Sequence, residues 1–120
     1  MRRSRQQAEK RGRQAETLAA LFLRLKGYRI IEHRFRSNRG EIDIIARRRD
    51  VTAFVEVKAR KSVEDALYSL SFSQRRRIEA AAEDWMKHTG FSAGSLRFDI
   101  IAVAPKAIPS HITGAWRIGE

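Results

Sequence analysis

No cysteine occurs in the chain. Disulfides and thiolate metal sites are therefore excluded, and nothing calls for an oxidising compartment. Long apolar runs are missing as well. No stretch approaches the ~20 residues that span a bilayer, so no membrane association is expected. The basic N-terminus, MRRSRQQAEKRGRQAE, has no apolar segment behind it. A secretory signal is therefore not expected, and a cytoplasmic location is the default. Acidic residues are scarce: 14 Asp and Glu stand against 25 Lys and Arg, a net charge of +11. That imbalance leaves the fold open but points to a polyanionic partner, nucleic acid first. A basic surface kept for solubility, or a dock for an acidic protein, is the alternative.

What is present suits a single folded domain. The 120 residues, 42% of them hydrophobic, can bury one ordinary core. Residues 1–11 read as a basic arm and 12–120 as the domain. From about Gln6 to Lys26, Ala15, Leu18, Ala19, Phe22 and Leu25 recur at helical spacing, and Gly27 stops the helix. Tyr28 to Phe35 reads as a strand and Arg36 to Gly40 as a turn. Gly40 to Arg47 and Val51 to Arg60 form a hairpin through Arg48, Arg49 and Asp50. KSVEDALYSLS fits a short helix or a loop equally well. Ile78, Ala81, Ala82 and Trp85 mark a second helix, from about Ser73 to Thr89, ended by Gly90. Leu96 to Ala104 is a strongly apolar strand, and His111 to Ile118 an edge strand beyond Pro105 and Pro109. A meander followed by a helical crossover implies a mixed sheet, its fourth strand parallel to an earlier one, in a three-layer α/β/α sandwich.

The hairpin carries charges where strands usually avoid them. By alternation, Ile42, Ile44 and Ala46 share one face of the first strand, and Glu41, Asp43 and Ile45 the other. In the second, Val51, Ala53, Val55, Val57 and Ala59 oppose Phe54, Glu56 and Lys58. The apolar sets read as core faces, so the acids gather on the opposite face. A turn of Arg48-Arg49, or one residue longer on either side, places Glu56 across from Glu41 or from Asp43. Like charges so placed destabilise a sheet. Clustered carboxylates suit a hard cation, Mg²⁺ or Mn²⁺. A divalent cation, carboxylates to hold it and a lysine beside them make a minimal kit for phosphodiester hydrolysis. A polar strand face stitched by salt bridges is the structural alternative.

GEIDII…FVEVKAR resembles the motif of the PD-(D/E)xK nuclease superfamily, with Asp43 as the first acid and Glu56-Val57-Lys58 as the (D/E)xK. With GRQAETLAALFLRLKGYRIIEHRF before it, the chain is similar to the YraN-like family of small bacterial proteins, relatives of archaeal Holliday junction resolvases. The likeness spans roughly Gly12 to Ala104, although Ile42 stands where the superfamily's proline would be. It implies a restriction-endonuclease-like core and an endonuclease acting on DNA rather than RNA, with branched or structured DNA among its substrates. It also implies a homodimer. Asp43, Glu56, Glu16 and the Val57 position would hold Mg²⁺ or Mn²⁺, and Lys58 would support the attacking water. Periodicity alone leaves Glu16 at the border of the apolar stripe. Glu41 and Gln74 are auxiliary candidates, Gln74 for a phosphate or a bound water.

Arg36, Arg39, Arg48, Arg49, Arg60, Arg75 and Arg76 flank this motif and are candidate phosphate contacts. Asp99 reads as a strand-surface partner of Arg97. His33, His88 and His111 show no ligand spacing, and Trp85 and Trp116 read as packing. A nucleic-acid-binding protein without catalysis is the competing function.

Overall fold

The computed structural model describes residues 2–91 and 94–120. The side chains of Arg2 and Arg3, counted above in the basic arm, lie outside that description. The elements are α1 (Arg2–Leu25), β1 (Arg29–Ser37), β2 (Gly40–Arg48), β3 (Val51–Lys58), α2 (Val63–Tyr68), α3 (Phe72–Thr89), β4 (Ser95–Ala102) and β5 (Ser110–Trp116). The ambiguous KSVEDALYSLS is thus mostly helix. Ser62 caps α2 by accepting from the Asp65 N–H, and Ala66 anchors it in the core.

The strands form one sheet in the order β1-β2-β3-β4-β5. β1, β2 and β3 are an antiparallel meander, β4 runs parallel to β3, and β5 closes the edge antiparallel. Both faces are covered. α1 packs Ala15, Ala19, Ala20 and Leu23 against Ile44, Ala46, Ala53, Val55 and Ile101. α2 and α3 pack Ala66, Ile78, Ala81, Ala82 and Trp85 against Ile42, Ile45, Phe54, Phe98 and Ile100. This is the three-layer α/β/α sandwich expected, and both tryptophans serve as packing, Trp85 and Trp116 being buried.

Two details of the expected core change. The stripe proposed for α1 included Leu18 and Leu25, but these are exposed, while Ala20 and Leu23 are buried. The helix rests on alanines, which let its axis approach the sheet and leave its leucines outward. Helical spacing identifies a face but not which of two adjoining apolar faces is covered. In β2, Ile42 packs with Ile45 on the α3 side, not with Ile44 and Ala46 on the α1 side. The alternation slips opposite Arg34, which has φ 51 and lies between the pairs His33↔Ile44 and Phe35↔Ile42. No residue is inserted here, since these pairs keep one register and the register shift of this ladder lies between Ile30 and Glu32, but the break in alternation falls beside Asp43.

Gly27 ends α1 with φ 92; its N–H donates to the Arg24 carbonyl and the Tyr28 N–H to that of Leu23. Gly40 is needed for a different reason. A Cβ there would lie 2.1 Å from the Arg77 carbonyl oxygen of α3. Gly40→Ala must push α3 off the start of β2, at an expected cost of about 1–3 kcal/mol. Urea unfolding measures it, and an unchanged midpoint would show that α3 does not sit this close.

Candidate active site

The hairpin turn is Arg49-Asp50, with Arg48 paired to Val51, and the regular pairing runs to Ile44↔Val55. The next step of that register brings Asp43, rather than Glu41, beside Glu56. There the strands part, and the Asp43 carboxylate takes the place of a backbone partner: its Oδ2 accepts from the Val57 N–H at 2.8 Å. Val57 therefore meets the site through its amide. Glu41, Asp43, Glu56, Gln74, Arg77 and Ile78 line a cavity of about 200 Å³ between this strand split and α3.

Burial pushes the Asp43 carboxyl up, and the neighbouring Glu56 charge and a hydrogen bond to Glu56 push it further, to about 9. Burial also raises Glu56, against hydrogen bonds from Asp43 and Lys58 that oppose the rise. The two titrate as a unit, close enough to share a proton. Lys58 reaches Glu56 from the same strand, β3, its Nζ 3.5 Å from a Glu56 oxygen. Carboxylates held this way, half-relieved by one lysine, are a hard-oxygen donor set short of positive charge. They fit Mg²⁺ or Mn²⁺, since magnesium takes one or two carboxylates with water completing its octahedron. Among the described residues no group of three or more His, Cys, Asp or Glu is placed to hold a metal. The donor set is therefore this pair, with Glu41 on the cavity wall.

The remaining candidates are distributed unevenly. Glu16 grips Arg34, with an Nε–Oε1 distance of 2.7 Å, and its charge is the smallest of the influences raising Asp43. Gln74 lines the cavity, but its side-chain oxygen accepts from the Ser71 N–H while Ser71 Oγ accepts from the Gln74 N–H, a reciprocal cap on α3. Arg36 pairs with Glu41 at 3.2 Å. Arg39 is held by Glu83 and Asp84 of α3. Arg76 is engaged by Glu79 and the Glu120 carbonyl and lies over Phe72. Arg48 donates to the Lys26 carbonyl and lies over Tyr28. Arg49 is exposed in the turn, and Arg60 donates to the adjacent Ala59 carbonyl. Arg75 is half-buried and does not line the cavity. The arginine of the Arg75-Arg76-Arg77 cluster that does is Arg77. Its spacing of three from Gln74 puts the two on one helix face.

Asp99 needs correcting. It is fully buried, not at the strand surface. Arg97 grips it through two hydrogen bonds of 2.8 Å, and His111 Nε2 lies 2.9 Å away. The Gly114 N–H donates to it at 3.0 Å where the β4–β5 ladder shifts register. Burial alone would raise this carboxyl, but the bonds from His111, Arg97 and Gly114 hold it below its ordinary value. Lys26 Nζ lies 2.7 Å from His111 Nδ1, so Nδ1 accepts and Nε2–H donates to Asp99. The Arg97-x-Asp99 phase was visible in sequence; the histidine from the edge strand was not.

The family described as "Uncharacterised protein family UPF0102" matches residues 15–103. A UPF0102 protein of Chelativorans sp. (strain BNC1) is 50% identical over 114 residues, 94% of this chain and 92% of the relative. One from Sinorhizobium medicae (strain WSM419) is 54% identical over 110 residues, covering 91% and 90%. Another, from Paramagnetospirillum magneticum, is 47% identical over 121 residues, covering 97% and 94%. The family match takes in Glu16, Asp43, Glu56 and Lys58.

Proposed function

Since the chain belongs to the UPF0102, or YraN, family, whose description specifies no reaction, we propose a function from its site: a metal-dependent endonuclease acting on DNA. The observation that carries this reading is the half-buried Asp43–Glu56 pair with Lys58 at 3.5 Å from Glu56. Such a pair is a cost to the fold that a cation would relieve.

Asp43 and Glu56 would hold Mg²⁺ or Mn²⁺. When bound, the cation supplies Lewis-acid polarisation of the phosphoryl group and neutralises its developing charge. The Val57 N–H fixes one Asp43 oxygen and so aims the other carboxylate edge at the cavity. Glu56 holds the Lys58 ammonium beside the pair, where it can orient the attacking water and stabilise charge on the phosphorus oxygens. Arg77 on the cavity wall and the exposed Arg34 and Arg36 at its approach would meet backbone phosphates. Glu16 joins the donor set only if Arg34 lets go of it. The +11 charge supplies long-range attraction for a polyanion.

The test is cleavage of end-labelled four-way junction, flap, single-stranded and duplex DNA, and of RNA, with Mg²⁺ or with EDTA. Metal-dependent products from a DNA substrate are expected, most from branched forms. Salt-sensitive binding with no cleavage of any substrate would replace this reading by a binding protein without catalysis.

A further inference from the structure

The larger concavity of the molecule lies elsewhere. A groove of about 1320 Å³ runs between α1 and the Pro105–Pro109 connection. Its apolar surface is built from Leu18, Leu21 and Leu25 of α1 with Ile108 opposite, and these are 48%, 52%, 79% and 81% exposed. The three leucines are successive members of one helical stripe, the stripe left over once α1 has set its alanines on the sheet. Contiguous exposed aliphatic surface of this kind is a liability in a monomer unless something covers it.

The groove also has a charge. Arg11, Lys26, Arg60, Lys61 and Lys106 line it, against Asp65 alone. We infer that this groove docks an acidic amphipathic helix of a partner protein. A second copy of the chain would set its five cations against five more, an arrangement that like-charge repulsion disfavours. Nucleic acid phosphates would meet the cations but leave the leucines and Ile108 against a polar backbone, since covering them with bases needs aromatic planes to stack on. The groove offers only Phe22, which is half-buried and covered by Lys26 at 5.2 Å from the ring centroid. Aliphatic residues between cations match instead an apolar stripe flanked by glutamates or aspartates, the helix-in-groove mode. Leu18 to Leu25 extends about 10 Å along the helix axis, so two to three turns of partner suffice. Arg60 and Lys61 lie two and three residues beyond Lys58, the end of β3, so the occupant would sit next to the end of the strand that carries the candidate active site. The inference itself rests on no part of the nuclease reading.

The probe is a fluorescent peptide of about 16 residues, leucine at i, i+3, i+4 and i+7, glutamate only at the positions flanking that stripe and alanine elsewhere to favour the helix. Its comparators are the same peptide with lysine for glutamate and a scramble of the first. Binding is followed by anisotropy on the whole protein, and the contacted groups by methyl NMR. The glutamate peptide is expected to saturate and to shift the Leu18, Leu21, Leu25 and Ile108 methyls, and the lysine peptide not to bind. Leu21→Glu, an exposed change that leaves the thermal midpoint in place, should weaken binding about tenfold or more, and Lys106→Glu should weaken it as well. The inference is overturned if the scramble binds equally, if Leu21→Glu changes nothing, or if no peptide saturates. A dimer in sedimentation that Leu21→Glu dissolves would also overturn it, in favour of a second copy.

Discussion

Asp43→Asn is expected to abolish cleavage and to stabilise the protein in the same stroke. Asparagine keeps the shape of the side chain. Its oxygen can accept from the Val57 N–H as Asp43 does now, and its amide can donate to Glu56. What disappears is a carboxyl that burial and Glu56 have driven up to about 9. The sign follows from proton counting. Between its ordinary value of 3.8 and about 9 the folded protein holds a proton on this group that the unfolded chain has released. Wild-type stability is thus fully present at low pH and declines as pH rises through that window. In Asp43→Asn that part of the slope vanishes, and at pH 8 the variant should be more stable on the order of 1–3 kcal/mol. Mg²⁺ should raise the wild-type midpoint and leave that of Asp43→Asn unmoved, because only the wild type has the pair to bind it. Lys58→Ala separates the roles: it should retain the metal response and lose about 10²–10⁴-fold in cleavage rate. Urea unfolding at several pH values, with and without Mg²⁺, beside a cleavage assay, measures all of this. A destabilised Asp43→Asn would mean that the buried carboxylate is a structural asset.

Asp99→Ala should do the opposite at the fully buried aspartate. Asp99 is answered from every side, by Arg97, His111 and the Gly114 N–H. Arg97 also donates to the Tyr28 hydroxyl, so the network ties β4 to the end of α1 as well as to β5. Removing the carboxylate strands a half-buried guanidinium, and breaking such a pair costs about 3–5 kcal/mol. Thermal and urea unfolding should both show a loss of this size, with the Mg²⁺ response of the remaining folded protein intact. A loss below about 1 kcal/mol would place the Asp99 network among surface ion pairs. The contrast between the two sites is the physical criterion for function here. Asp99, fully buried, has its charge met by two cationic or donor side chains and an N–H, whereas half-buried Asp43 has the Val57 N–H and otherwise a second carboxylate, with the nearby lysine on Glu56.

The sequence showed the layers because each layer left a periodic record: Ile78, Ala81, Ala82 and Trp85 for α3, and alternation in β3. It showed Asp43, Glu56 and Lys58 as a group because strand phase and a short turn leave few registers. It did not show Ile42 crossing to the α3 side, since that depends on the left-handed backbone of Arg34 across the ladder. Nor did it show the fate of the arginines. Arg39 on Glu83 and Asp84, and Glu16 on Arg34, join residues from 18 to 45 positions apart, and only packing decides such pairs. Asp99 was misplaced for the same reason, because its burial depends on β5 covering it. The outward leucines of α1 were read as core because a helix with two apolar faces looks, by spacing alone, like a helix with one broad face.

Mn²⁺ binding to the wild type and to Asp43→Asn, followed by electron paramagnetic resonance, tests the metal site without requiring knowledge of the substrate. The expected result is saturable Mn²⁺ binding to the wild type that strengthens as pH rises and releases protons, competes with Mg²⁺, and is lost in Asp43→Asn. Equal binding by the two proteins, or none by the wild type at millimolar Mn²⁺, would contradict the assignment of the Asp43–Glu56 pair as a metal centre.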